Sequence, residues 1–144
     1  MRHSPRRVLS RLVLTGVALL ACSAAAAGQM ARVGREFKVR AGQVVTLDGG
    51  GLRVRFARVA SDSRCPADVN CVWAGNAEVS VEVGGGRWRG RRTLTLNTDA
   101  GTRGGSESRY GRYTVKLVGL SPQPRSGRKI PAGRYTATLL VVKE

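Results

Sequence analysis

Histidine is nearly missing from this chain: the single copy, His3, sits in an N-terminal stretch that reads as a leader. With none left in the body of the protein, Ser–His–Asp and Cys–His nucleophilic chemistry are excluded, and histidine-ligated zinc and copper sites with them. Acidic residues are also few, 9 against 25 Lys+Arg, so a hydrolase built on paired carboxylates has little to draw on. No apolar run approaches the ~20 residues of a membrane-spanning helix. No segment of ten or more residues carries a 3.6-residue apolar period, and no repeat is visible, which argues against a helical bundle or a solenoid. Cysteine occurs three times, at Cys22, Cys65 and Cys71.

The first of these cysteines belongs to a segment with an export pattern. Residues 1–11 carry Arg2, Arg6, Arg7 and Arg11 without an acid, residues 12–21 are apolar apart from Thr15, and small residues follow. Residues 1–27 are therefore expected to be an export signal and processing region. Leu19, Leu20, Ala21 and Cys22 resemble a bacterial lipoprotein signal, in which Cys22 would be acylated; Ala24 to Ala27 offer ordinary small-x-small cleavage sites instead. Arg6-Arg7 also resembles a twin-arginine signal loosely, with a poor fit at Val8, Leu9 and Ser10. The expected location is exported, in the periplasm or at the outer membrane as a lipoprotein, with membrane association through the lipid if Cys22 is acylated.

Cys65 and Cys71 then remain to each other. In an oxidising compartment their spacing reads as a disulfide, and closing so short a loop stabilises by roughly 2.4 kcal/mol in the chain-entropy model. A redox or metal-binding dithiol is the rival reading, but five intervening residues are not a Cys-x-x-Cys spacing. No cofactor is expected.

Taking four leader arginines away leaves 21 Lys+Arg against 9 acids, a net charge of about +12. In an exported protein that excess points to anionic envelope polymers or lipids, or to an envelope protein, rather than to nucleic acid. The arginine preference also has a compositional reading, a GC-rich genome.

Past a tether expected over residues 28–35, the pattern is that of short strands. Phe37 and Val39 alternate with Lys38 and Arg40; Val44 to Leu47 follow; Leu52, Val54 and Phe56 share a face opposite Arg53 and Arg55. Val79, Val81 and Val83 alternate with Glu78, Ser80 and Glu82, and Trp88, Leu94 and Leu96 share a parity in residues 87–96, with Gly90 as a bend. Residues 98–111 are glycine-rich and polar, expected as a mobile loop. Tyr113, Val115 and Leu117 resume the alternation, Pro122 and Pro124 stop it, and Tyr135 to Val142 make a last strand, expected to be central and buried on both sides towards its end. The expected architecture is all-β: one domain over residues 36–144, an antiparallel β-sandwich of about seven strands, with a barrel as the alternative.

The binding candidates cluster on the cysteine loop, at Pro66, Asp68, Asn70 and Trp73. Trp73 is expected to pack over the disulfide, with a ligand-stacking role as the alternative. Asp62, Asp68, Asn70, Asn76 and Glu78 gather oxygen ligands, but at no calcium-loop spacing, so backbone capping is the expected role of the Asp and Asn residues. Glu78 and Glu82 share a strand face and are expected as partners of arginines. Arg53, Arg55, Arg87, Arg89 and Arg91 are candidates for a polyanion-binding face, or for an ordinary solvated one.

Read together, Asp62-Ser63-Arg64-Cys65-Pro66 and Cys71-Val72-Trp73-Ala74-Gly75-Asn76-Ala77 resemble the signature of a widespread set of small exported bacterial proteins, mostly lipoproteins without an assigned role. The resemblance implies an envelope protein with a disulfide beside a tryptophan, and brings no catalytic residue with it. The function expected is a non-enzymatic cell-envelope binding or structural module. The alternatives are a secreted inhibitor using the loop 66–70 and, more remotely, a carboxylate-based hydrolase.

Overall fold

Alternation of apolar and polar residues gives this chain two sheets, each with one dry face. The computed structural model describes residues 28–48, 51–102 and 104–144; residues 1–27, expected as an export segment with a candidate lipidation site at Cys22, lie outside the described residues. Nine strands are present among them: β1 (Gln29–Ala31), β2 (Glu36–Arg40), β3 (Val44–Leu47), β4 (Arg53–Asp62), β5 (Ala77–Gly84), β6 (Arg92–Asn97), β7 (Glu107–Tyr110), β8 (Tyr113–Ser121) and β9 (Thr136–Lys143). One sheet runs in the order β1-β3-β4-β5-β6 and the other β2-β9-β8-β7. Among the described strands only β1 pairs in parallel, with β3. The protein is a β-sandwich and not a closed barrel. Its core is one continuous cluster in which Val54, Phe56, Val79, Val81 and Leu96 of one sheet face Val39, Val115, Leu139 and Val141 of the other. Burying aliphatic side chains of this size stabilises by roughly 1.5–3 kcal/mol each.

Irregular pairing at one end of the sandwich sets up everything that follows. Along β4 the partner of Phe56 is Val81, that of Val59 is Val79 and that of Asp62 is Ala77, so β4 spends three residues for every two of β5. Two β-bulges therefore occur in succession, and each flips the side-chain parity of the strand. Phe56, Val59 and Asp62 all face inward as a result. A comparable shift in β8, between Leu117 and Gly119, turns Leu120 towards the same end.

Several sequence expectations are corrected. Gln29–Ala31, inside the expected tether, is strand β1, with the Gln29 side-chain amide donating to the Lys38 carbonyl at 2.9 Å; three residues are too few to show a period. The hairpin of β5 with β6 is as expected, but its second arm is only Arg92–Asn97, and Trp88 closes a 3-10 turn at Gly86–Trp88 with φ of 57°. Its ring lies over Gly84, where the absence of a side chain makes room. Residues 98–111, expected as a mobile loop, contain β7, whose polar residues are held by backbone pairing to β8 rather than by burial. Strand β9 is central, between β2 and β8, yet Leu140 is only half-buried and Val142 is exposed, because one sandwich face suffices to bury the opposite parity.

Candidate functional site

The loop between β4 and β5 continues the pairing of its two strands beyond their ends. Ser63 donates its amide to the Asn76 carbonyl at 2.7 Å, and Cys65 donates to Ala74 at 2.8 Å. Gly75 sits between these rungs at φ of 69°, where a Cβ would collide with the Ser63 carbonyl, so only glycine fits. Cys65 and Cys71 are joined in a disulfide with a Cα–Cα separation of 5.9 Å, closing the tip.

Beneath the loop lies a buried ion pair. The Arg64 side chain is 7% exposed and that of Asp62 10%, and the guanidinium grips the carboxylate with two parallel bonds, Nε to Oδ1 at 2.9 Å and Nη2 to Oδ2 at 2.7 Å. Its remaining donors reach across to the other sheet, to the carbonyls of Leu120 at 2.6 Å and Pro122 at 2.9 Å. The Arg64 backbone amide donates to Oδ1 as well, at 3.2 Å, and the Tyr135 hydroxyl adds a fourth bond to Asp62 at 3.0 Å. Burial by itself would raise the pKa of Asp62, but the hydrogen bonds and charge of Arg64, with the bond from Tyr135, outweigh it and hold the carboxyl below its ordinary value. Burial, then the bond to Asp62, pushes the Tyr135 phenol the other way, above its ordinary value. Every donor and acceptor in this group is matched, which is the condition for burying charge at all.

The first half of the cysteine loop is fastened to the connection between β8 and β9. Ala67 donates to the Pro124 carbonyl at 2.9 Å, the Gln123 side chain donates to the Cys65 carbonyl at 3.0 Å, and Asp68 accepts from the Ser126 amide at 2.9 Å. That backbone bond, foremost, lowers the pKa of Asp68. Asn76 ties in the connection after β6, donating to Asn97 at 2.7 Å and accepting from the Asp99 amide at 3.1 Å. Three connections thus interlock at one end of the sandwich.

What remains free is the second half of the loop. Trp73 is 82% exposed and Val72 91%, with Val69 beside them at 45%. The expectation that Trp73 packs over the disulfide is overturned: the space under the loop is filled by the Arg64 guanidinium, and the Cys65–Ala74 rung leaves the indole outside. Pro66 is half-buried, while Asp68 and Asn70 are exposed. Val72 and Trp73 are thus adjacent, exposed apolar side chains on a loop that is pinned on its other side.

The arginines expected as a polyanion face are brought to the opposite end and largely occupied. Arg53 stacks over Trp88 at 5.1 Å from the ring centre. Arg55 and Arg91 both reach Glu82, at 3.4 and 3.9 Å. Arg89 is exposed and its carbonyl accepts from the Tyr110 hydroxyl at 3.3 Å; the side chain of Arg87 lies outside the described ones. The oxygen-bearing residues near the loop do not converge. Asp62, Asp68 and Asn76 are each committed as above, and no group of three or more His, Cys, Asp or Glu residues that could hold a metal ion occurs among the described residues. Sequence reasoning passed over Arg64, whose burial could not be foreseen without the bulges that turn Asp62 inward; residues 125–129 read from sequence as a basic, exposed connection, as they are, but not as a candidate site. No family model, curated protein or solved structure matches the chain.

Proposed function

We propose that this protein is a non-enzymatic binding module of the cell envelope that recognises a protein partner through the free half of its disulfide loop, with Trp73 as the anchor. One observation carries the reading: a tryptophan and a valine, both more than four-fifths exposed, project from a loop whose base is locked by a disulfide and a fully satisfied buried ion pair. A rigid loop loses little conformational freedom on binding, and tryptophan is the residue type most enriched among energetic anchors of protein interfaces. The disulfide is compatible with export, and among the described residues no helix is long and apolar enough to cross a membrane. Periplasmic location and lipid attachment at Cys22 belong to this proposal as the setting in which such a loop meets its partner.

A second reading, an inhibitor whose loop enters another protein's active site, uses the same apex. The pinning of Ala67 and Asp68 moves its inserting segment from residues 66–70 to Val72 and Trp73. The test is capture from envelope extract on immobilised oxidised protein, compared with Trp73→Ala. A discrete protein retained at high salt by the wild type and lost with Trp73→Ala is the expected result; equal capture by both rules out the apex as the contact. Loss of the captured protein's own activity on binding would select the inhibitor reading.

A further inference from the structure

The connection between β8 and β9 holds a second candidate surface, chemically unlike the first. Residues 125–128 fold back on themselves, with the Arg128 amide donating to the Arg125 carbonyl at 3.1 Å and an isolated bridge pairing these two residues. The turn at Ala132–Arg134 then brings Arg134 round to the same side. Arg125, Arg128, Lys129 and Arg134, all exposed, line one cleft of about 390 Å³ whose other walls include Ile130 and Pro131. No acid lines it. The ion pairs found among the described residues engage Arg32, Arg55, Arg64, Arg91, Arg109 and Lys116, and none of these four. Asp68 sits on Ser126 and partly offsets Arg125, while Asp62, in the adjoining cleft that shares Arg128 and Lys129, is already matched by Arg64.

We propose that this cleft is a binding site for a phosphate-bearing anion. Four like charges on one short connection repel one another, and the segment cannot relax by swinging away. Asp68 holds Ser126, Ala67 holds Pro124, and the guanidinium of Arg64 holds the carbonyls of Leu120 and Pro122. A bound multivalent oxyanion removes that repulsion. The planar donor forks of three arginines suit the tetrahedral oxygens of phosphate better than a lone carboxylate, and the charge-assisted bonds they form are the strong class. The site is independent of the loop-apex reading, since its residues lie on a different connection and its ligand is charged rather than apolar. It also replaces the arginine face expected from sequence, where Glu82 and Trp88 already occupy three of the candidates.

The phosphate can come from a lipid headgroup or from a soluble phosphorylated compound, and two probes separate these. Titration of the oxidised protein with inorganic tripolyphosphate, followed by amide chemical shifts, reads the soluble source. Flotation with phosphatidylglycerol vesicles against phosphatidylcholine vesicles reads the lipid source. Binding to either probe should be weakened roughly tenfold or more by the double substitution Arg128→Gln with Arg134→Gln. It should be nearly unchanged by Arg112→Gln, an exposed arginine in the turn between β7 and β8 at the far end of the sandwich. In the wild type the shifts should centre on residues 125–130 and Arg134. Tripolyphosphate binding alone would assign a soluble ligand, and vesicle binding alone a headgroup. The proposal is overturned if neither probe binds, if the double variant and Arg112→Gln lose affinity equally, or if the shifts centre on Arg53, Arg55 and Arg91.

Discussion

Asp62 and Arg64 show how much of this molecule rests on two side chains. Replacing Asp62 with asparagine would leave the guanidinium buried without a counter-charge, which costs about 3–5 kcal/mol; urea titration of Asp62→Asn should give an unfolding free energy lower by that amount. The same pair sets the response to pH. The folded carboxyl titrates below its ordinary value of 3.8, so its stabilising contribution is complete above about pH 4 and is lost as the pH falls through the lowered folded value. The Tyr135 phenol titrates above its ordinary value of 10.0, so its contribution is present below that and is lost as the pH rises through the raised one. Melting temperature against pH should therefore show a plateau with an acid edge that disappears in Asp62→Asn. Trp73 is the counter-example at the same scale. Being exposed, it should tolerate replacement by alanine with a change within about 0.5 kcal/mol, and a larger loss on thermal unfolding would mean that the indole packs after all. Neither fact could be read from the residues: an Asp-Ser-Arg-Cys string looks like a polar turn, and a tryptophan beside a cystine looks like core.

At the scale of the element, the loop of residues 63–76 is a hairpin end tied off by a disulfide and one obligatory glycine. Cys71→Ala should lower stability by about 2–3 kcal/mol as the loop-closure term is lost, measured as the difference between oxidised wild type and variant in guanidinium. Gly75→Ala should be destabilising by more than about 1 kcal/mol, through both its positive φ and the collision with Ser63; an unchanged midpoint would show that the Ser63 carbonyl does not crowd this position. The strands themselves were legible because a period of two is written directly in Leu52, Val54 and Phe56 and in Val79, Val81 and Val83. The bulges were not, since a strand that uses three residues against two leaves an ordinary-looking run, residues 57–62, in which parity cannot be followed. Strands β1 and β7 escaped for a different reason: they are short edge strands held by backbone bonds, and backbone bonds leave no mark on side-chain pattern.

Over the whole molecule, both ends of the sandwich carry cations, in different settings. At the end bearing Trp88, Arg55 and Arg91 meet Glu82 and Arg53 meets an aromatic face, while at the end bearing the disulfide Arg125, Arg128, Lys129 and Arg134 line one cleft without an ion pair among the described residues. The composition, with 21 basic against 9 acidic residues after position 22, announced a basic surface without saying which end of the fold would carry it. The placement depends on register, which pairs Arg55 with Glu82 across β4 and β5.

The most direct test of the recognition claim is site-specific photo-crosslinking in cells, with a photoreactive residue at position 72 and, as reference, at position 112. A discrete adduct formed at 72, absent at 112 and abolished by Trp73→Ala in the same chain, is the outcome this account requires. Adducts of equal yield at both positions, or an adduct at 72 that survives Trp73→Ala, would contradict it.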